Sequence, residues 1–173
     1  MAITKIQSES LNLADDYSFT GTITGAGESN VPAFMAYRSG TQTLSSGVTT
    51  KVQYNAELFD TANCYDSTTN YRFTPNVAGK YYIFHNAGYG RDTSNVSYGG
   101  YLTIHKNGVQ TAYQQFSTTS DTNYLTQVVT TVLDMNGSSD YVEAFINHGV
   151  SSGTPSVGSG ISINQFGGFL ITT

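Results

Sequence analysis

The sequence predicts an all-β sandwich, and three observations carry that reading. Thr, Val, Tyr and Phe are plentiful, with 13 Tyr and 9 Phe in 173 residues, and these side chains suit a pleated, half-buried surface. Short runs of alternating apolar and polar residues recur, punctuated by Gly, Pro, Asn and Asp. Charged residues are only 11 %, so the Ala, Glu, Lys and Arg of a helical bundle or coiled coil are scarce. The length suits one domain, or one domain plus an arm.

The elements follow in chain order. Residues 1–30 stand apart: Ile3, Ile6, Leu11 and Leu13 are sparse apolar anchors in a polar stretch, and GTITGAGESN reads as a Gly/Ser/Thr linker. Too few apolar residues lie here for an independent core. The segment is either a disordered terminus or an arm that orders against a partner chain or a larger assembly. VPAFMAYR (31–38) then puts Phe34, Ala36 and Arg38 on one face and Met35 and Tyr37 on the other. KVQY (51–54) is a short alternating strand, and YRFTP (71–75) stops at Pro75, which cannot continue a ladder. GKYYIFH (79–85) is aromatic on both faces, as a strand enclosed between two layers would be, and Gly79 marks a tight entry into it where a side chain would obstruct packing.

YLTIHK (101–106) and VQTAYQQF (109–116) are joined by Asn107-Gly108, a strong hairpin signal because both residues tolerate positive φ. NYLTQVVTTVLDM (123–135) and DYVEAFINH (140–148) flank a second such pair, Asn136-Gly137, and read as a second hairpin with a slightly longer loop. QFGGFLIT (165–172) is the last apolar strand. Regular spacing without helical period argues for a sandwich or jelly roll rather than βαβ units. No fixed-period repeat points to a propeller or solenoid.

Composition bounds the partners. Net charge is −5 with seven Lys plus Arg spread along the chain, so there is no cationic cluster to displace counterions from nucleic acid. No apolar run reaches a membrane span, and MAITKIQSES lacks the apolar stretch of a signal peptide. Cys64 is the single cysteine, which removes intrachain disulfides and a cysteine metal site.

Within this frame, residues 52–85 resemble the signature of the C1q-like domain, a jelly roll of the C1q and tumour-necrosis-factor superfamily. The matching positions are Tyr54, Asp60, Tyr65, Phe73, Gly79 and Tyr81. The Tyr65-to-Phe73 interval is one residue longer than the family's, and Ile83 and His85 stand where the family prefers aromatics. LTIHKNG, LDMNGSSDYVEAF, the opening VPAFMAYR and the closing FGGFLI resemble further family strands, with Gly167 where the family's closing motif has Ser. The resemblance spans 31–173. It implies a ten-stranded jelly-roll domain over those residues, an N-terminal arm or linker over 1–30, and assembly as a homotrimer. The Thr-Gly-rich start also resembles N-terminal pieces of bacteriophage tail-fibre and structural proteins. With no signal peptide or disulfide, the expected setting is a virion, the arm contacting other virion proteins.

Chemical motifs are sparse. Gly149-Val150-Ser151-Ser152-Gly153 matches G-x-S-x-G in letters, but that motif needs a strand before it and a helix after it, and SSGTPSVGSG reads as a flexible loop. His85, His105 and His148 have no spacing that demands convergence on a metal. Asp15, Asp16, Asp60, Asp66, Asp92, Asp121, Asp134 and Asp140 are oxygen donors. Some C1q-like trimers bind calcium near their apex, so the resemblance admits calcium among them; the other reading is turn formation through side-chain hydrogen bonds. No other cofactor is expected. NAGYGRDTSNVSYGGY (86–101) mixes Tyr with Gly, Ser, Asn and one Arg, a composition also found in paratope loops. Tyr89, Arg91, Asp92, Asn95 and Tyr98 are therefore the candidate ligand-binding residues, with a plain long loop as the alternative.

The expected function is non-enzymatic: a trimeric virion recognition protein, such as a phage tail-fibre head, binding a host-surface receptor or glycan. The alternative is a purely structural trimer that decorates a capsid or tail and binds only the particle. A tail-associated depolymerase would need a convergent catalytic motif that the sequence does not offer.

Overall fold

A computed structural model describes residues 31–91, 97–117 and 125–173. Among them are thirteen strands and no helix: β1 (Ala33–Tyr37), β2 (Gln42–Thr43), β3 (Thr50–Lys51), β4 (Ala56–Asp60), β5 (Tyr65–Asp66), β6 (Arg72–Phe73), β7 (Ala78–Arg91), β8 (Ser97–Lys106), β9 (Val109–Ser117), β10 (Leu125–Asn136), β11 (Val142–Val150), β12 (Pro155–Val157) and β13 (Gln165–Thr172). Four of these are only two residues long, so the count exceeds the ten expected. The long strands include those anticipated, but β7 and β8 extend through 86–91 and 97–100, so most of the segment read as a loop is strand.

All pairings are antiparallel and form two sheets. In the first, β7 lies between β10 on one edge and β13 and β12, end to end, on the other; β1 and β4 follow beyond β13, and β2 beyond β12. In the second the order is β5-β6-β11-β8-β9, with β3 also on β11. The first strand thus pairs the last, Met35 opposite Gly167. Such long-range crossing connections are those of a jelly roll.

The core between the sheets is aromatic. Phe34 stacks on Phe73 with centroids 4.3 Å apart and on Tyr65 at 5.0 Å. Phe166 meets Phe34 edge-on at 5.1 Å, and Phe73 meets Tyr81 at 5.6 Å. Tyr54, Phe73, Tyr81 and Phe166 are fully buried, each ring removing about 150–250 Å² from water. The phenols find partners without reaching solvent: Tyr54 donates to Asn86 O (3.0 Å), Tyr65 to Tyr54 O (3.0 Å) and Tyr81 to Val77 O (2.8 Å). Asp60, the remaining polar signature residue, accepts from the Tyr65 amide at 2.7 Å and holds the turn before β5.

Two sequence expectations are met atom by atom. At the β8–β9 hairpin Asn107 has φ 52° and Gly108 φ 79°. At Gly79 a β-carbon would run into Thr172 O and the Leu170 side chain. Four others are corrected. Asn136-Gly137 does not close a hairpin between β10 and β11: β10 pairs with β7 in the first sheet and β11 with β8 in the second, so this turn carries the chain from one sheet to the other. KVQY is not a strand as a whole: Lys51 ends β3, while Val52 and Tyr54 are buried pins, the Val52 amide bonded to Ala144 O at 2.9 Å. The Ser/Gly/Pro stretch after β11 contains a strand, β12, because it finds partners in β7 and β2. GKYYIFH belongs to a longer strand with only one face in the core. Tyr81, Ile83 and His85 are buried, whereas Tyr82 and Phe84 point outward and are half-buried among the described residues.

Candidate functional site

The strand directions separate the two ends of the sandwich. One end carries the 107–108 and 136–137 turns, the C-terminal end of β13 and, at Ala33 opposite Phe169, the start of β1. The other carries the end of β7 and start of β8, the end of β9 and start of β10, and the connection from β11 to β12. Residues 1–30 therefore join at the first end, and the candidate loop joins at the second.

The candidate residues divide. Tyr89 lies on the inner face of β7 and is 2 % exposed. Its ring packs edge-on to Phe116 (4.6 Å) and His148 (5.1 Å), and its hydroxyl donates to Gln127 Oε1 at 2.6 Å. Burial pushes the phenol far above its ordinary pKa. This ring is core and has no face free to stack on a ligand. Arg91 ends β7 opposite Pro155, and Tyr98 lies in β8, but their side chains, like Asp92 and Asn95 altogether, lie outside the described residues.

The other chemical candidates are placed as follows. Val150 closes β11, and a bend at 151–153 leads into β12 rather than a helix, so the G-x-S-x-G letters do not form a nucleophile elbow. His85 and His148 point into the core, while His105 lies on the outer face of the second sheet. Among the described residues no three His, Cys, Asp or Glu side chains gather as metal ligands. The carboxylates of Asp60, Asp66 and Asp140 accept hydrogen bonds from neighbouring amides: Asp66 takes those of Thr68, Thr69 and Asn70 at 2.8–3.0 Å, and Asp140 that of Asn136.

Two outer faces were not singled out in the sequence. On the second sheet, Lys51 Nζ meets the nearly buried Glu143 at 2.5 Å and Asn70 O at 3.3 Å. Beside them His105 stacks on Phe145 at 4.2 Å. Thr103 Oγ1 lies 3.1 Å from His105 Nε2, but Thr103 is fully buried, so the pair offers no accessible nucleophile.

The outer face of the first sheet is apolar instead. Val132, Tyr82 and Phe169 lie in one cross-strand row; Thr130, Phe84, Gly167, Met35 and Phe59 make the next. Val132 is 52 % exposed, Phe169 47 % and Phe59 45 %. Apolar side chains thus recur across the outer face of five strands, and large exposed apolar patches are in general where proteins make contacts.

No protein-family model matches the chain, and no curated protein does. Solved structures do. Crystal structures of murine APRIL at pH 5.0 and pH 8.0 match with TM-scores of 0.61 and 0.59 at 10 % identity, covering 82 % of this chain and 99 % of that one. The chain has a tumour-necrosis-factor-like jelly-roll fold. At this identity the likeness concerns backbone architecture alone.

Proposed function

We propose that the chain is a non-enzymatic homotrimeric recognition module of a virion, for instance a phage tail-fibre head, that binds a host-surface receptor or glycan. The observation that carries this reading is the apolar outer face of the first sheet, built by Tyr82, Phe84, Val132, Phe169, Met35 and Phe59. A second copy packed there would complete the layer that β7 lacks on that side. The C1q-like resemblance supports three copies around that face.

The polarity of the sandwich supports the second half of the proposal. Residues 1–30 attach at one end and serve as the link to the particle. Arg91 ends β7 and Tyr98 lies near the start of β8 at the opposite end, and they are the ligand-binding candidates together with Asp92 and Asn95. Three copies of one weak site then act together through avidity.

Sedimentation equilibrium of the purified chain tests assembly, with a trimer expected at micromolar concentration and a monomer overturning it. Adsorption of the labelled trimer to host cells, with Arg91→Ala/Tyr98→Ala beside it, tests recognition. Loss of adsorption with an intact trimer is expected. A trimer that adsorbs to no host surface but does bind purified particles would establish decoration instead.

A further inference from the structure

The core contains an ionisable ring that the fold does not pair. His85 sits on the inner face of β7 and is 0 % exposed. Neither Nδ1 nor Nε2 has a hydrogen-bond partner. Its ring meets Tyr54 edge-on (5.7 Å, 84°) and Phe166 edge-on (6.4 Å, 80°), contacts that a plain aromatic ring would make as well. Buried polar groups are ordinarily satisfied, so this imidazole costs stability that an apolar ring would not.

The surroundings favour the neutral ring, because burial outweighs the one contact that favours the proton, the Thr103 backbone. Tyr54 faces it from the segment before β4, Phe166 from β13 and Val129 from the opposed position of β10. From β8 the Thr103 backbone comes near, without a hydrogen bond of ordinary geometry. Tyr54 is itself held neutral, its pKa pushed well up by burial. No carboxylate among the described residues acts on the imidazole. A proton here would create a buried cation with no counter-charge.

We propose that His85 is an acid-sensitive lock: the two sheets close around the neutral imidazole, and acid opens them by supplying the proton. The direction follows from linkage. Burial lowers the folded-state pKa from 6.5 to about 3. Above 6.5 neither state is protonated and stability is full. Below it the unfolded chain takes up the proton while the folded chain refuses, and the unfolding constant rises about tenfold per pH unit until the folded pKa is reached. Most carboxylates stay ionised through the upper part of this window, so His85 acts before general acid denaturation.

Urea unfolding of the full chain, at fixed protein concentration from about pH 7.5 to about pH 4.5, tests this. Wild type is compared with His85→Phe, which keeps the edge-on ring contacts, and with His105→Gln as a histidine control on the outer face. Between about pH 7.5 and about pH 4.5 the wild-type unfolding constant should rise about a hundredfold more than that of His85→Phe. His105→Gln should follow wild type. Equal pH slopes in wild type and His85→Phe overturn the lock. If His85→Phe does not fold, the imidazole 15N shifts of wild-type His85 decide: a ring neutral down to about pH 4.5 supports it, and one protonated above about pH 6 overturns it.

Discussion

Phe84 covers Gly167. The two are cross-strand partners between β7 and β13, and a β-carbon on Gly167 would lie 2.5 Å from Phe84 Cζ and 2.6 Å from Cε1. The ring's position on the apolar outer face is therefore set by the missing side chain. Gly167→Ser, which restores the residue of the C1q-like motif, should force Phe84 off its present rotamer. Overpacking of this kind costs about 1–3 kcal/mol, and it also disturbs the face proposed for self-association. A lowered urea midpoint with weakened trimer is expected; an unchanged midpoint would show that Phe84 yields freely.

Tyr89 separates packing from recognition. Tyr89→Ala removes a buried ring flanked by Phe116 and His148 and should cost about 3–5 kcal/mol. Tyr89→Phe removes only the bond to Gln127, worth about 1 kcal/mol. Thermal or urea unfolding of both variants checks this. A Tyr89→Ala protein as stable as wild type would return this ring to the ligand-binding candidates.

Much of this architecture was legible in the sequence, and the exceptions have definite causes. Tyr54, Tyr65, Phe73 and Tyr81 announce the core because their spacing is local. Asn107-Gly108 announces its hairpin because only a few residue types accept positive φ twice. Tyr89 was read from its polar neighbours, yet strand parity would have found it: Ile83, His85, Ala87 and Tyr89 share the face of Tyr81, and all are buried. β12 was hidden because its backbone groups are satisfied by β7 and β2, far away in the chain. The apolar outer face needs the registers of β1, β4, β7, β10 and β13 together, and no single segment contains them.

The loop after β5 predicts an acid limb of its own. Asp66 is held well below the usual carboxylate range, first by the Thr69 amide and then by the amides of Thr68 and Asn70 and the Asn70 side chain. A depressed folded-state pKa means that its contribution is full above the unfolded value of 3.8. It is lost as pH falls below that value toward the folded one. Asp66→Asn keeps an acceptor oxygen but cannot titrate. Its stability should fall less than that of wild type between about pH 4.5 and about pH 2.5. Parallel curves would contradict the role given to these amides.

Cys64 should prove dispensable. The thiol is buried and free, 3.4 Å from Ala62 O, and burial raises its pKa. Serine has nearly the same volume and can donate to the same carbonyl. Cys64→Ser should retain fold and assembly by circular dichroism and sedimentation. A thiol-reactive dye should label native wild type slowly and unfolded wild type at once. Fast native labelling, or loss of assembly in the variant, would count against this placement.

The sharpest test of the shared face is one charge at its exposed edge. Phe169 lies opposite Tyr82, with ring centroids 5.4 Å apart, and is 47 % exposed in the single chain. Because the position is already half in water, Phe169→Asp should leave an isolated sandwich folded, at a loss of about 1–3 kcal/mol of apolar burial. In an assembly that covers this face, the same carboxylate would be buried without a partner. That penalty is several kcal/mol per copy, and in a trimer it acts on three copies at once. The expected result is a monomer by sedimentation, with a far-UV spectrum still that of β-structure. A Phe169→Asp trimer as tight as wild type would place the subunit interface elsewhere on the molecule. An unfolded protein would instead make this face part of the single chain's own stability, and Val132→Lys, at a 52 % exposed position in the same row, would then carry the test.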